Sequence, residues 1–413
     1  MIASLYAGIS GLSANSTAMT VIGDNIANVN TTAFKSNRTE FANVLSTALG
    51  GESAMNKVGR GVDLWSVDAR WTQGSLENTQ SATDLAINGL GFFMVKDEDG
   101  SNFYTRAGNF HFDKEGYLVN PDGLRLQGYQ LDANGLPGNI TDVFIPGERV
   151  SPPAATTVFT FDMNLDAGAA TGDTYTTSQT VYDSLGNAIP LTFTFTKQAA
   201  AGTWAVTGSI PTAFGPANAV TFGGAASTSF VFNGSGAMTS PAADVTVGLA
   251  LTNGATTPLN ITWDLYDANA RSLGDITGYA ADSNTTFQFQ DGYPSGMLRD
   301  ISVDEKGIVT ATYSNGEMVA DFQLALADFQ SYDGLTKLGN NLYAESMDSG
   351  QVLPGAAGNG RLGSISPQCL EMSNVDLAEE FVKMITTQRA FQANSRVITA
   401  SDEILQELIN IKR

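Results

Sequence analysis

From Asp376 to Ile411 the chain carries neither glycine nor proline, and its apolar residues keep a seven-residue period. Met384, Phe391, Ile398 and Leu405 form one row, and Ala390, Val397, Ile404 and Ile411 form a second. Thr387, Asn394, Ser401 and Leu408 lie between them, while Leu377 and Phe381 open the segment. This spacing predicts one long helix with coiled-coil-like periodicity. Ser373 or Asn374 can cap it, Asp376, Glu379 and Glu380 suit the positive end of the helix dipole, and Lys412 and Arg413 suit the other end.

The other extremity mirrors it. Over residues 2–29, Ile2, Leu5, Ile9, Leu12, Met19 and Ile26 follow steps of three and four, with Ser16 and Gly23 completing the register and Ala7, Ala14 and Val21 in a neighbouring row. Such a helix is roughly 40 Å long. It runs into "DNIANVNTTAFKSNR", where Asn25, Asn28 and Asn30 tolerate the left-handed conformation that ends helices, and β-branched Thr31 and Thr32 favour extended backbone. Phe34 then reads as an anchor on a neighbouring surface and Lys35 as solvated.

Each terminal helix adjoins a polar connector, so neither has local sequence to cover its apolar stripe, and long helices in water depend on packing. The natural partner of each is the other. The C-terminal helix, however, presents two rows roughly 100° apart. One mate covers one row; the other row asks for a further copy of the chain.

Between the helices the pattern changes to short alternating runs broken by turns, as in "GNFHFDKEGYLVN" and "ISVDEKGIVTATYSNGEM". Lysine and arginine become scarce from Val150 to Gln290, where only Lys197 and Arg271 stand against nine aspartates. Similar hairpins flank that stretch on both sides. The chain is therefore expected to be mainly β with long terminal α-helices, multidomain, with one β-rich domain inserted into another. The expected division is a helix over 1–32, an extended linker over 33–70 and a β-domain over 71–148 and 292–363. An inserted β-domain spans 149–291, a linker 364–372, and the C-terminal helix 373–413.

Several chemistries are disfavoured. The formal net charge of −21 repels nucleic acid and anionic lipid. One cysteine, Cys369, and one histidine, His111, exclude an intramolecular disulfide and any site needing two such residues to converge. The acidic runs at Asp97–Glu98–Asp99 and Asp304–Glu305 lack calcium-loop spacing and read as solvated turns. "GLGFF" and "GGAASTS" lack the context and the lysine of a phosphate loop. Trp65, Trp71, Trp204 and Trp263 read as core or interface residues. No catalytic, cofactor-binding or metal site is expected, and no enzyme. The N-terminal run is interrupted by Ser4, Ser10, Ser13, Asn15 and Ser16, and its first basic residue is Lys35, which fits neither a membrane span nor a cleaved signal.

"IGDNIANVNTTAFKSNR" resembles the N-terminal signature of bacterial flagellar axial proteins, the rod and hook family, through Asn25, Ala27, Asn28, Asn30, Thr31, Phe34 and Lys35. The segment from Ser373 to Arg413 resembles the same family's C-terminal helix. "TDLAINGLGFFMV", "FYTRAGNFHFDKEGYLVNPDGLRLQGY" and "GYPSGMLRDISVDEKGIVTATYSNGE" are similar to the inner β-domain of its hook members, and the inserted domain separates the chain from shorter rod members. The family's usual glycine before Phe-Lys is Ala33 here, which puts a left-handed backbone at that position in question.

The resemblance implies a homo-oligomeric helical polymer: a curved, flexible, hollow tube transmitting torque, outside the cell, with subunits exported unfolded by the flagellar export apparatus. It also implies contacts with a distal rod protein, a hook-cap protein and a hook–filament junction protein, and neither nucleic-acid binding nor membrane insertion. Its assembly residues would be Leu5, Ile9, Leu12, Met19 and Ile26 on the first helix. On the second they would be Leu377, Phe381, Met384, Phe391, Val397, Ile398, Ile404, Leu405 and Leu408. A distal rod subunit, or from another class a secreted β-rich adhesin or glycan-active enzyme, is the competing reading.

Overall fold

The computed structural model describes residues 2–411 apart from 45–46, 49–56, 59, 133, 217–218 and 267–274. Helix α1 spans Ile2–Ala27 and helix α2 spans Leu377–Ile411, with the described chain between them built from strands and turns. The mainly β architecture with paired terminal helices is the one the periodicities predict. Two compact units divide the chain: residues 1–147, 300–311 and 318–413 form the first, and 148–299 with 312–317 the second.

In the first unit, antiparallel strands Phe92–Lys96, Asn102–Thr105, Arg125–Leu131 and Met318–Asp328 carry the central ladder. Phe92, Met94, Tyr104, Ala325, Ala327 and Phe329 pack into a buried core beneath it. Trp71 closes that core edge-on, its ring 5.5 Å from Phe92 and 5.2 Å from Tyr343. The two flanks of the chain then zip together. Ser364–Pro367 pairs antiparallel with Leu85–Asn88, and Cys369–Glu371 with Leu76–Asn78. This brings the segment feeding α2 alongside the segment that follows α1.

The described residues of the 33–70 stretch form more than a plain linker. Asn37–Asn43 pairs with Val62–Ala69 as an antiparallel ribbon with an irregularity at Glu40/Phe41. The ribbon lies along α1: the Val62 N–H donates to Ser10 Oγ at one end, and the Asn37 N–H to Asn25 Oδ1 at the other. A side-chain carbon on Gly61 would stand 2.1 Å from Ser10 Oγ, so the close approach requires glycine there.

The second unit packs two sheets around an aromatic core. One sheet contains Val158–Asn164, Val245–Leu249, Leu259–Trp263 and Asn284–Gln290; the other contains Thr174–Tyr182, Ala188–Lys197, Thr203–Ser209 and Thr228–Phe232. Alternation sends Phe159, Phe161, Phe193 and Phe195 inward, around the fully buried Trp263. The Phe193 and Phe230 rings both lie 5.1 Å from that indole.

Many hairpins in both units close with one device, an Asp or Asn whose side chain accepts backbone N–H groups two and four residues on. Asp304 does so from Lys306 and Ile308, and Asp113 from Glu115 and Tyr117. The acidic run at Asp304 is therefore a turn-former.

Candidate assembly site at the chain termini

The two terminal helices pack antiparallel. Gly8 faces Ile398, Gly11 faces Asn394, and Asn25 meets Glu380 near the other end of the contact. As position rises along α1 it falls along α2, one for one.

The α1 surface buried in this contact consists of Gly8, Gly11, Ala14, Ala18, Ile22 and Asn25. It lies one residue toward the N-terminus from the expected stripe, a rotation of roughly 100°. Ile9 is exposed, and Leu5, Leu12, Met19 and Ile26 are half-buried beside the contact. The physical reason lies on α2, which brings Ile398 and Asn394 against Gly8 and Gly11; glycines at those positions let the two backbones approach.

On α2 the two apolar rows separate. Met384, Phe391, Ile398 and Leu405 are half-buried, and Ile398 lies against Gly8 of α1. Val397 and Ile404 remain 44% and 48% exposed, and so do Leu377, Phe381, Val382 and Ile385 at the start of the helix. With Tyr6 and Ile9 on α1, the helix pair offers apolar surface that the described residues leave uncovered. The Leu408 side chain lies outside the described residues.

Where α1 ends, the asparagines do more than terminate it. Asn25 is buried, its amide donating to the Asn37 carbonyl at 2.8 Å and to Glu380 Oε2 at 3.2 Å, its oxygen accepting the Asn37 N–H. Asn28 bonds back to the Asp24 carbonyl and accepts from the Thr31 hydroxyl. Asn30 and Ala27 are exposed. Ala33 takes a left-handed backbone after all, with φ of 59°, and its N–H donates to the Glu371 carbonyl at 2.7 Å.

Lys35 is the clearest correction. It is 3% exposed rather than solvated, and Nζ lies 2.5 Å from Glu371 Oε1 and 2.9 Å from the Thr72 carbonyl. The same carboxylate accepts the Gly74 N–H through Oε1 and faces Arg106 Nε at 3.2 Å through Oε2. Arg106, itself buried, donates to the carbonyls of Gly89 and Gly91. Burial pushes the Lys35 ammonium below its ordinary range; Glu371 opposes that shift and Arg106 adds to it. Burial likewise lowers Arg106, against the pull of Glu371. Phe34 is half-buried beside this junction, and its carbonyl accepts the Asn374 N–H.

Asn374, one of two expected caps of α2, bridges the segments at the open end of the ribbon instead: it accepts the Ser36 N–H and donates to the carbonyls of Arg70 and Thr72. The cap is Asp376, whose carboxylate accepts the N–H groups of Ala378 and Glu379.

Comparison with known proteins follows these features along the chain. Residues 5–35 match the family "Flagella basal body rod protein", and 86–163 match "Flagellar hook protein FlgE/F/G D1 domain". Residues 154–293 match "Flagellar basal body protein FlaE D2 domain", and 366–411 "Flagellar basal body rod FlgEFG protein C-terminal". The flagellar hook protein FlgE of Borreliella burgdorferi is 36% identical over the whole of both chains. That of Salmonella typhimurium is 34% identical over 98% of each. The chain belongs to the flagellar hook protein family. It is, accordingly, a structural subunit of the hook. A crystal structure of Helicobacter pylori flagellar hook protein FlgE2, 16% identical, shares the fold with a TM-score of 0.52, covering 72% of this chain and all of that one.

Within this hook-family chain, sequence reasoning missed Gly8, Gly11, Arg106 and Glu371. The glycines were legible as part of a three-four spacing of small residues at 8, 11, 14 and 18 that continues to Ile22 and Asn25. Nothing local marks Arg106 or Glu371 as buried. No described helix is long and apolar enough to cross a membrane.

Proposed function

We propose that the antiparallel α1–α2 pair is the polymerising element of this hook subunit, and that neighbouring copies cover the apolar surface it leaves open. The observation that carries this is the division of α2. Met384, Phe391, Ile398 and Leu405 are half-buried, Ile398 against α1, while Phe381, Val382, Ile385, Val397 and Ile404 stay about half exposed within a single chain. Complete burial of side chains of this size is worth about 1.5–3 kcal/mol each. Repetition of the contact builds a helical tube with the helix pairs as its inner wall.

In this reading the tube is curved and flexible and transmits torque between rod and filament, and its subunits reach it unfolded through the flagellar export apparatus. Its ends meet a distal rod protein, a hook-cap protein and a hook–filament junction protein. The residues offered to neighbours are Leu5, Ile9, Leu12, Met19 and Ile26 with the open face of α2.

Truncation tests the proposal. Removal of residues 1–30 or 376–413 is expected to give monomers that do not polymerise, while the full chain forms curved tubes under the electron microscope. Polymerisation of either truncated form would refute it, and straight, stiff tubes from the full chain would contradict the flexible-joint reading.

A further inference from the structure

We propose that Glu371 is a positioning residue for assembly, a latch that lets the N-terminal arm dock only when the C-terminal arm is in place. The inference rests on the reading of the helix pair as the polymerising element. Three distant segments contribute to the latch: Lys35 from the arm leaving α1, Arg106 from the β-domain, and Glu371 from the arm entering α2. All three side chains are buried.

Without Glu371 the site would hold two cations and no anion. The carbonyls of Thr72, Gly89 and Gly91 solvate Lys35 and Arg106 but do not neutralise them. Among the described residues, Glu371 is the only carboxylate ion-paired with either. Breaking a buried charge pair from one side leaves the remaining charge uncompensated, at far greater cost than a surface pair would show. Lys35 can leave the site, because it sits on a terminal arm; Arg106 belongs to the folded β-domain and cannot. The expected consequence of an absent Glu371 carboxylate is therefore that the Phe34–Lys35 segment swings out.

The backbone adds direction to that coupling. Ala33 donates its N–H to the Glu371 carbonyl, and Ser36 donates to Asn374, so both amides of the N-terminal arm depend on residues that precede α2. Asn37 and Asn25 clamp the arm to α1 itself, and Asn25 also reaches Glu380 on α2. Docking at Glu371 thus sets the distance and register at which α1 and α2 begin their contact. A subunit with only one terminus folded cannot present a lone, correctly placed helix to a growing polymer.

Amide hydrogen exchange on the dilute full-length monomer reads this without requiring polymerisation, so its failure is separable from failure of the assembly reading. Glu371→Gln is expected to lower protection of the Ala33, Ser36 and Asn37 amides at least tenfold, with Phe193 and Phe195 in the second unit unchanged. Glu371→Asp should retain most of the protection. Adding Lys35→Met to Glu371→Gln should restore at least half of what was lost on a logarithmic scale, because it removes the mobile cation. Lys35→Met alone should be milder than Glu371→Gln. Unaltered arm protection in Glu371→Gln, or a double variant no better protected than the single, would overturn the latch. So would a Lys35→Met effect equal to that of Glu371→Gln.

Discussion

A side-chain carbon on Gly11 would stand 2.8 Å from the Asn394 amide nitrogen across the α1–α2 seam. Three residues earlier, one on Gly8 would lie 3.1 Å from Ile398. The terminal helices meet where one of them has almost no side chains. Gly11→Val should force the helices apart and cost about 1–3 kcal/mol, the usual range for overpacking. Chemical denaturation of the monomer followed by far-ultraviolet circular dichroism checks it: the helical signal should be lost at lower denaturant. An unchanged transition would mean that the seam is looser than the geometry indicates.

Substitution on the open face should behave in the opposite way. Val397→Asp and Ile404→Asp lie on exposed positions of α2 and should change monomer stability by less than about 0.5 kcal/mol. Polymerisation should nevertheless fail, because each would bury an unpaired charge against a neighbouring copy. Sedimentation under polymerising conditions, beside the thermal melt of the monomer, separates the two effects. Phe391→Asp and Ile398→Asp are less discriminating, since both residues are already half-buried within one chain.

Acid should loosen the second unit through Asp183. Its buried carboxylate accepts N–H groups from Leu185 and Asn187 and the side-chain amides of Asn187 and Asn253. Although desolvation raises its pKa, these bonds prevail and hold it below the ordinary carboxylate value. A folded-state pKa below the unfolded one contributes stability that is full above the unfolded value, about 3.9 for aspartate. That stability is lost as pH falls through the folded one. Asp183→Asn turns an NH2 toward two donor amides and should cost about 1–3 kcal/mol at neutral pH. Its melting temperature should fall less steeply than the parent's below pH 4, so that the two curves converge. Parallel curves would show that Asp183 does not carry this dependence.

Ala33 offers a test of backbone strain. It is fully buried, yet its φ is 59°, where a side chain is disfavoured by about 1–2 kcal/mol. Ala33→Gly relieves that strain while leaving a methyl-sized gap, so the monomer should gain a net of under about 1 kcal/mol. Ala33→Val should lose stability sharply in the same thermal melt. A stabilised valine variant would contradict the strain.

The helices and the β-rich middle were legible because each is written in local period, seven at the termini and two between, and the insertion was legible from the scarcity of lysine and arginine over 150–290 between similar flanking hairpins. The seam was less legible. Leu5, Ile9, Leu12, Met19 and Ile26 form the more hydrophobic stripe of α1, but the contact chooses Gly8, Gly11, Ala14, Ala18, Ile22 and Asn25, since fit to bulky α2 side chains outweighs hydrophobicity. Lys35 looked solvated because its partner lies 336 residues away, and no local pattern announces a pairing across the whole chain. Asn25 looked like a terminator for the same reason: its work is to hold Asn37 and Glu380. Positions whose environment is made by distant segments were the ones that composition and spacing could not place.

The central claim is that the apolar face on the helix pair is open in one molecule and closed by others. Hydroxyl-radical footprinting of dilute monomer against assembled polymer measures it side chain by side chain. Phe381, Val382, Ile385, Val397 and Ile404 should be modified readily in the monomer and protected several-fold in the polymer, while Phe193 and Trp263 stay protected in both. Equal modification of the α2 residues in the two states would contradict the account.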